Sequence, residues 1–266
     1  MINIKRISII ALILLLVGAI GSIITFNSIN KPVSVSEEKI INTNDFTDIE
    51  IEADNEKVEI VSTDDQTTKV ELVGRSTEQI QNQLKVEIEE NTLSITLENE
   101  KLFNFFHFMD SNLTLKVSLP EKVYESLQVD IDNGTVYAEQ LNIKAVKGET
   151  NNGHIEMEDI VATTINVESD NGKISLENVS GEINGETNNG KIYLETNDLD
   201  RPITLECDNG SIEIETENEP ANATFNVRVD NGHINIFDKY SGNAVFGNGE
   251  NLIKLTTNNG KIKVTK

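Results

Sequence analysis

Apolar and polar residues alternate over most of the chain after residue 120, and one short motif interrupts the alternation at regular steps. The motif reads Asp or Asn, then Asn, Gly, a polar residue and Val or Ile. Its seven copies contain Asn133-Gly134, Asn152-Gly153, Asn171-Gly172, Asn189-Gly190, Asn209-Gly210, Asn231-Gly232 and Asn259-Gly260. Successive glycines are 19, 19, 18, 20, 22 and 28 residues apart. A period near twenty residues indicates stacked supersecondary units.

The flanks of each Asn-Gly pair predict two strands joined by a corner. Period-two alternation bounded by Asn-Gly is the pattern of half-buried strands. The second residue after each Gly is β-branched: Val136, Ile155, Ile174, Ile192, Ile212, Ile234 and Ile262. Residues 121–266 are therefore predicted to hold regular repeats of strand, tight turn, strand and a looser return such as residues 178–181.

Two all-β architectures fit such a repeat. Asn-Gly is a strong hairpin signal, which predicts a meander of antiparallel hairpins. The alternative is a β-solenoid of about seven to eight coils, in which equivalent residues stack about 4.8 Å apart. The residue before each repeated Asn runs Asp, Asn, Asp, Asn, Asp, Asp, Asn. This run favours the solenoid, because amides relieve repulsion between carboxylates only when coils are neighbours. The repeated Asn side chains would then form an amide ladder.

The first 30 residues predict a cytoplasmic N-terminus and a transmembrane anchor. Lys5 and Arg6 precede an uncharged apolar run over residues 7–26, which just spans a bilayer as a helix. The alternative is a cleaved secretory signal ending near Ala19-Ile20-Gly21. Because the apolar run continues past that site, the sequence favours an uncleaved, single-pass anchor in the cell membrane. The basic residues would keep the N-terminus inside and place the C-terminal domain outside the cytoplasm.

Composition agrees with export. Residues 31–266 hold 20 Lys and Arg against 45 Asp and Glu, a net charge of −25. Such a surface repels phosphate, so no nucleic-acid partner is predicted. Cys207 is the single cysteine and cannot form an internal disulfide. The equivalent residues of other repeats are small or aliphatic, as in Thr187 and Val229, so Cys207 is predicted to fill the core.

The segment between the anchor and the regular repeats predicts an irregular N-terminal part. Residues 31–39 are predicted as a linker, and residues 40–120 as strands that cap the open end of the solenoid. Residues 46–60 form a degenerate eighth repeat with Glu56 in place of Gly, so this corner should differ in shape. Residues 78–84 are predicted as one or two helical turns.

Four phenylalanines lie together between Phe103 and Phe108. One interpretation is a loop folded over the cap as a plug. The other is an exposed apolar loop that contacts a membrane or a partner.

Aligning the repeats brings acidic residues into two columns. The first acidic column holds the residue two positions before the Asp or Asn in the first five copies: Asp130, Glu149, Glu168, Glu186 and Glu206. The second acidic column holds the residue five positions after the Gly in the same five copies: Glu139, Glu158, Glu177, Glu195 and Glu215. Both columns face outward by parity. They are interpreted either as a solvated surface that prevents aggregation or as a binding face for a cation or a cationic partner. Hard cations such as Ca²⁺ are compatible with carboxylate columns, but the calcium-binding β-roll motif is absent from the sequence, so no cofactor is predicted.

No catalytic signature appears in the sequence. Ser-His-Asp, Cys-His, P-loop and dinucleotide motifs are missing, and no catalytic, cofactor-binding or metal-binding residue is predicted. A polysaccharide-acting β-helix enzyme is the alternative function. It would need a pair of acids set apart from the others, and the chain also lacks Trp for stacking on sugars.

The chain resembles a known family. An N-terminal anchor, the segment Leu119-Pro120-Glu121-Lys122-Val123-Tyr124 and serial Asp/Asn-Asn-Gly-x-Ile coils are similar to the bacterial β-strand-repeat family of adhesin-like proteins. This domain of unknown function includes LiaG-like proteins encoded beside envelope-stress sensors. The resemblance covers about residues 40–266. It implies an extracytoplasmic β-solenoid without known catalytic residues, serving as an interaction or adhesion module of the cell envelope. Its expected partner is an envelope protein or a cationic envelope component.

Overall fold

The computed structural model describes residues 11–22, 32–43, 45–77, 80–101 and 112–266. Apart from a helix over residues 11–22, this part of the chain consists of strands and loops. The strands are β1 (Pro32–Ile41), β2 (Asp48–Ala53), β3 (Lys57–Thr63), β4 (Thr68–Thr77), β5 (Ile80–Glu89), β6 (Thr92–Lys101), β7 (Asn112–Pro120), β8 (Val123–Glu139), β9 (Asn142–Glu158), β10 (Thr164–Glu177), β11 (Glu182–Glu195), β12 (Ile203–Glu215), β13 (Ala223–Ile236), β14 (Ala244–Phe246) and β15 (Asn251–Thr265).

Seven long parallel strands form the regular stack, in the spatial order β8, β9, β10, β11, β12, β15, β13. Each strand runs through its Asn-Gly corner and pairs with the next coil in register, as Ile174 of β10 pairs with Ile192 of β11. The antiparallel meander is therefore wrong, and equivalent residues are direct neighbours. The β-branched residues after the corners point inward, and both of these isoleucines are fully buried.

The last long strand of the chain is not the last coil of the stack. β15 pairs with β12 on one side and with β13 on the other. Sequence order, which would place β13 next to β12, is wrong for these two coils. The observed order sets Asn258 beside Asp208, with its Nδ2 donating to the carboxylate at 2.7 Å. The sequential order would instead set Asp230 beside Asp208, and these like charges would repel each other.

The Asn-Gly corners stack in close contact. A Cβ added to Gly190 would lie 1.7 Å from the carbonyl oxygen of Gly172, and the φ of Gly190 is +152°, so only glycine fits. Each repeated Asn donates its Nδ2 to the Oδ1 of the neighbouring Asn at 2.9 to 3.1 Å. This is the amide ladder that the sequence predicts. In spatial order its members are Asn55, Asn133, Asn152, Asn171, Asn189, Asn209, Asn259 and Asn231.

The degenerate eighth repeat forms a coil of its own. β2 pairs with the first half of β8 and β3 with the second half, so that Ile49 faces Leu127 and Val58 faces Val136. The strand is interrupted at Glu56, which is buried and does not adopt a positive φ. Its Oε2 accepts the backbone N–H groups of residues 54 and 55 at 3.2 and 2.9 Å. This corner differs from the others, as its sequence predicts.

Beyond the eighth coil the two faces continue as separate sheets. β6 and β5 extend the face that contains β2, while β7, β4 and β1 extend the face that contains β3. Lys39 of β1 joins the two sheets by donating from Nζ to the Leu84 carbonyl oxygen of β5 at 2.5 Å. An inward-pointing lysine of this kind protects a sheet edge from further pairing.

Two predictions for this region are corrected. Residues 31–39, predicted as a linker, lie largely within β1, because Val35 and Ile41 alternate with polar residues and pack against the core. Residues 80–84, predicted as helical, belong to β5. The interval Phe103–Phe108 lies outside the described residues.

The C-terminal end is closed by aromatic rings. β14 pairs antiparallel with the start of β13. Phe225 of β13 packs edge-on against Phe237 and Phe246, with ring centroids 6.2 and 5.7 Å away, and Tyr240 packs on Phe246 at 5.8 Å. Edge-on packing at these distances is favourable, and the cluster covers part of the core that the last coil would leave open.

The helix over residues 11–22 is apolar and its side chains are exposed. Within the described residues, no helix is long and apolar enough to cross a membrane. The anchor over residues 7–26 stays a prediction from the sequence.

Candidate binding surface

The first acidic column is built by the register of the stack. Asp130 of β8 pairs with Glu149 of β9, and the same register continues through Glu168, Glu186 and Glu206. Parallel neighbours in a sheet are about 4.8 Å apart, so these carboxylates form a row with a fixed step. β2 adds a sixth acid that the sequence alignment missed, since Glu52 pairs with Asp130. The sequence could have predicted this position, because Glu52 lies two residues before Asp54 in the degenerate repeat, as the other acids of the column do in theirs.

Lysines neutralise this column at two positions. Lys147 pairs with Glu149 at 2.7 Å, and Lys254 of β15 pairs with Glu206. Glu168 and Glu186 lie between them, and neither forms an ion pair within the described part of the chain. Burial, followed by the charges of Glu168 and Glu206, raises the pKa of Glu186. Lys254 opposes this shift from a longer distance, so the middle of the column holds negative charge that no direct ion pair neutralises within the described residues.

A cavity of about 360 Å³ lies along the same four coils. Its walls include Glu149, Glu168, Glu186 and Glu206, together with the neighbouring polar row and two glycines: Lys147, Asn166, Asn184, Thr204, Gly148 and Gly185. Asn184 donates its Nδ2 to Asn166 Oδ1 at 3.1 Å, which fixes the amides beside the carboxylates. The first acidic column is thus a concave, ordered surface.

The second acidic column also stacks in register, but its carboxylates have partners within the protein. The Tyr193 hydroxyl oxygen lies 2.9 Å from a carboxylate oxygen of Glu195 and 2.9 Å from one of Glu215, and its single proton is shared between these two acceptors. The Tyr137 hydroxyl donates to Glu158 at 3.3 Å. This column is consequently less available to a ligand than the first.

The row beside the second acidic column is paired as well. Glu213 receives Lys191 and, at 2.7 Å, Lys261. These two hydrogen-bonded lysines lower the pKa of the Glu213 carboxyl. The acids on the face of the second column are therefore bonded to tyrosine or lysine at several coils, whereas on the face of the first column Glu168 and Glu186 form no ion pair within the described residues.

In the described ranges, no group of three or more His, Cys, Asp or Glu side chains is placed to hold a metal ion. His154 and His233 lie in β9 and β13, at distant levels of the stack. Carboxylates that step along one direction offer a line of charge in place of a coordination shell, which needs oxygen ligands converging on one point.

Comparisons with known proteins found one matching family model and several similar solved structures. The model of the Toastrack DUF4097 family matches residues 46–167 and, in a second overlapping match, residues 136–265. Among curated proteins, none matches the chain. A solved structure of a "putative adhesin" from Bacteroides fragilis is 14% identical and is similar over 86% of this chain and 97% of that chain, with a TM-score of 0.48. A "putative cell adhesion protein" from Clostridium sporogenes is 13% identical over 88% of this chain and 99% of that chain, with a TM-score of 0.45.

The two family matches meet where the structure is most regular. Their overlap, residues 136–167, runs from the second half of β8 into β10, so each match begins or ends inside the parallel stack. Together they include the degenerate eighth coil and the displaced β15. The chain belongs to the Toastrack DUF4097 family.

Proposed function

We propose that the protein is a membrane-anchored interaction module of the bacterial cell envelope, and that its first acidic column binds a cationic envelope component. The observation that carries the proposal is that Glu168 and Glu186, at the centre of a concave row of carboxylates, form no direct ion pair within the described residues. A rigid row with a constant step suits a partner with repeated positive charges, since each added contact needs no further ordering of the protein. The names of the similar structures, which refer to adhesion, support a binding role over catalysis.

The test uses the full chain and an oligolysine peptide as a defined cationic probe. The variant E168Q/E186Q keeps the shape of the column and removes its free charge, whereas E195Q/E215Q removes two charges of the second column. We expect the first variant to weaken peptide binding about tenfold and the second to change it less than about threefold. Equal losses in both variants, or binding that does not depend on salt concentration, would contradict the proposal. Adding Ca²⁺ or a chelator should leave binding unchanged.

The anchor is a separate part of the proposal. The uncharged run over residues 7–26 supports retention in the cytoplasmic membrane with the stack outside. Cell fractionation of the full chain should find it in the membrane fraction. Recovery of a soluble exported protein whose N-terminus begins near residue 22 would show cleavage and overturn the anchor.

The resemblance to LiaG-like proteins adds a candidate partner, a membrane sensor of envelope stress. Crosslinking in intact membranes should then join the chain to one membrane protein, and E168Q/E186Q should reduce that adduct more than E195Q/E215Q does. An adduct unaffected by either change would place the contact elsewhere on the molecule.

A further inference from the structure

The return loops, which begin directly after the residues of the second acidic column, contain a buried cation. Arg201 lies in the loop between β11 and β12, and its side chain is only 8% exposed. Burying a guanidinium is costly unless it is paired with an opposite charge and hydrogen-bonded. No ion pair involving Arg201 occurs in the part of the chain that the structure describes. Burial lowers the pKa of Arg201, although the charge of Asp198 partly opposes this.

The hydrogen bonds of Arg201 explain its orientation but not its charge. Nε donates to the Asp198 carbonyl oxygen at 3.0 Å, Nη1 to the Gly181 carbonyl oxygen at 2.8 Å and Nη2 to Thr196 Oγ1 at 3.0 Å. All three acceptors are neutral. A guanidinium has five N–H donors in a rigid fork, so two donors remain beyond these three bonds. The fork is held in place with part of its donor capacity unused.

Arg201 lines a cavity of about 310 Å³ between the return loops of three coils. Apolar walls come from Ile160, Val161 and Val179, and the remaining lining is polar: Asp159, Asn178, Ser180, Thr196, Asn197 and Asp198. Asn178 donates its amide to the carboxylate of Asp159, which ties these two groups to each other. Ser180 and Thr196 are also hydrogen-bonded within the loops, so the cavity offers one buried cation, the Nδ2 of Asn197 and an apolar wall.

We infer that this cavity binds a small monocarboxylate that carries hydroxyl groups, with the ligand carboxylate on the guanidinium of Arg201. A carboxylate accepts N–H groups from the fork in the geometry that arginine favours. The Asn197 Nδ2, which donates no hydrogen bond within the described residues, suits a ligand hydroxyl group. The carboxylates of Asp159 and Asp198 at the same cavity disfavour a dianion, so a monocarboxylate is preferred over phosphate. This site is independent of the first acidic column and of the proposed function.

The test titrates the full chain with glucuronate, a hydroxylated monocarboxylate, and follows binding by isothermal calorimetry or ligand-detected NMR. Glucose, which lacks the carboxylate, and inorganic phosphate serve as comparison ligands. We expect glucuronate to bind more tightly than either. Tighter binding of phosphate or glucose, or the absence of glucuronate binding at millimolar concentration, would overturn the inference.

Three variants then test whether glucuronate binds in the Arg201 cavity. R201Q should weaken glucuronate binding about tenfold or more, because a charge-assisted contact is lost. N197D adds a negative charge at the cavity, keeps the acceptor that Asn197 Oδ1 offers to the backbone N–H of Glu217, and should weaken binding about threefold. R228Q is the matched control, since Arg228 is exposed and paired with Asp230 in β13, and it should leave binding unchanged. If R201Q fails to fold, N197D decides, and an unchanged affinity in N197D would overturn the site.

Discussion

The two ends of the stack share one parallel register but differ in how their clustered acids are paired. At the N-terminal end, Glu52, Asp54, Asp130 and Asp132 line one cavity of about 420 Å³, and none of the other described residues that line it is a lysine or an arginine. At the C-terminal end the acids are paired: Glu206 with Lys254, Glu213 with Lys261, Glu219 with Lys239 and Asp230 with Arg228. Since the repeated backbone can pair in register with any other coil, side-chain charge contributes to which neighbour a coil takes.

The order of the C-terminal coils illustrates this selection. The residue before each Asn of the amide ladder alternates between aspartate and asparagine when the seven regular coils are taken in spatial order: Asp132, Asn151, Asp170, Asn188, Asp208, Asn258 and Asp230. All three of these asparagines donate a hydrogen bond to a neighbouring aspartate at 2.7 to 2.9 Å. At the N-terminal end the alternation fails, because Asp54 lies next to Asp132. Repulsion is tolerated where no alternative coil competes for the position.

We expect the largest changes in the free energy of unfolding from substitutions at the corners, where a regular corner can be compared with the N-terminal corner. Gly190→Ala should destabilise the protein by more than about 4 kcal/mol, because its Cβ would overlap the Gly172 carbonyl oxygen at a φ that alanine disfavours. Gly242→Ala, a site with open space around it, is the matched control and should change stability by less than about 0.5 kcal/mol. At the other corner, Glu56→Gly should cost about 1 to 3 kcal/mol, since a buried acceptor is lost. Urea unfolding measures all three, and a mild Gly190→Ala would contradict the close stacking.

The second prediction tests the coil order directly. Cys207 of β12 faces Thr257 of β15 in register, and adjacent parallel strands bring Cα atoms within the range that a disulfide spans. Thr257→Cys should form an intrachain disulfide with Cys207 under oxidation, whereas Val229→Cys, the equivalent change in β13, should not. Mass spectrometry of proteolytic fragments distinguishes the two. A disulfide in the Val229→Cys protein would mean that the coils follow sequence order.

Most of the regular stack could be predicted from sequence, because each coil carries its own alternation and its own Asn-Gly corner. The displaced β15 was missed, although a signal for it exists. Asp208 is followed in sequence by Asp230, which breaks the alternation, and placing Asn258 between them restores it. β1 was missed because it contains many polar residues and its partner β4 is distant in sequence. The Arg201 cavity could not be predicted, since it arises from return loops of unequal length.

A smaller effect is expected from changes to the alternation itself. Asn258→Asp would place three carboxylates in a row at the C-terminal end and should destabilise the protein by about 0.2 to 1 kcal/mol, an effect that salt reduces. Asp54→Asn removes the like-charge contact at the N-terminal end and should stabilise by a similar amount. Thermal unfolding at low and high salt measures both. The comparison of the two ends fails if the two changes have the same sign.

The smallest effect concerns pH. Burial, then the charges of Glu149 and Asp132, raises the pKa of Asp130, so its folded state binds protons more readily than its unfolded state. At neutral pH the ionised Asp130 carboxylate lowers the free energy of unfolding, and this destabilisation is lost as the pH falls through the raised pKa. Glu213 has a lowered pKa, so its contribution is present above its ordinary pKa and is lost as the pH falls through the lowered one.

Two variants test these opposite contributions to the pH dependence of stability. Asp130→Asn should be more stable than the parent at about pH 7 and should lose that advantage towards about pH 4. Glu213→Gln should be less stable at neutral pH and should approach the parent in acid. Urea midpoints across this range provide the measurement, and parallel pH profiles for the two variants would remove the electrostatic contrast between the ends.

The displaced final coil has a consequence for how such a protein changes its reach. Each coil touches only its two neighbours, so duplicating one in the middle lengthens the rod by about 4.8 Å and leaves the other contacts in place. At the C-terminal end, the cluster of Phe225, Phe237, Tyr240 and Phe246 covers β13, and β15 lies between β13 and β12. No further coil can therefore be added beyond β13 without displacing this cluster. Growth must therefore occur between the β2–β3 coil and β12, and a longer relative would keep its closing segment intact while gaining interior rungs.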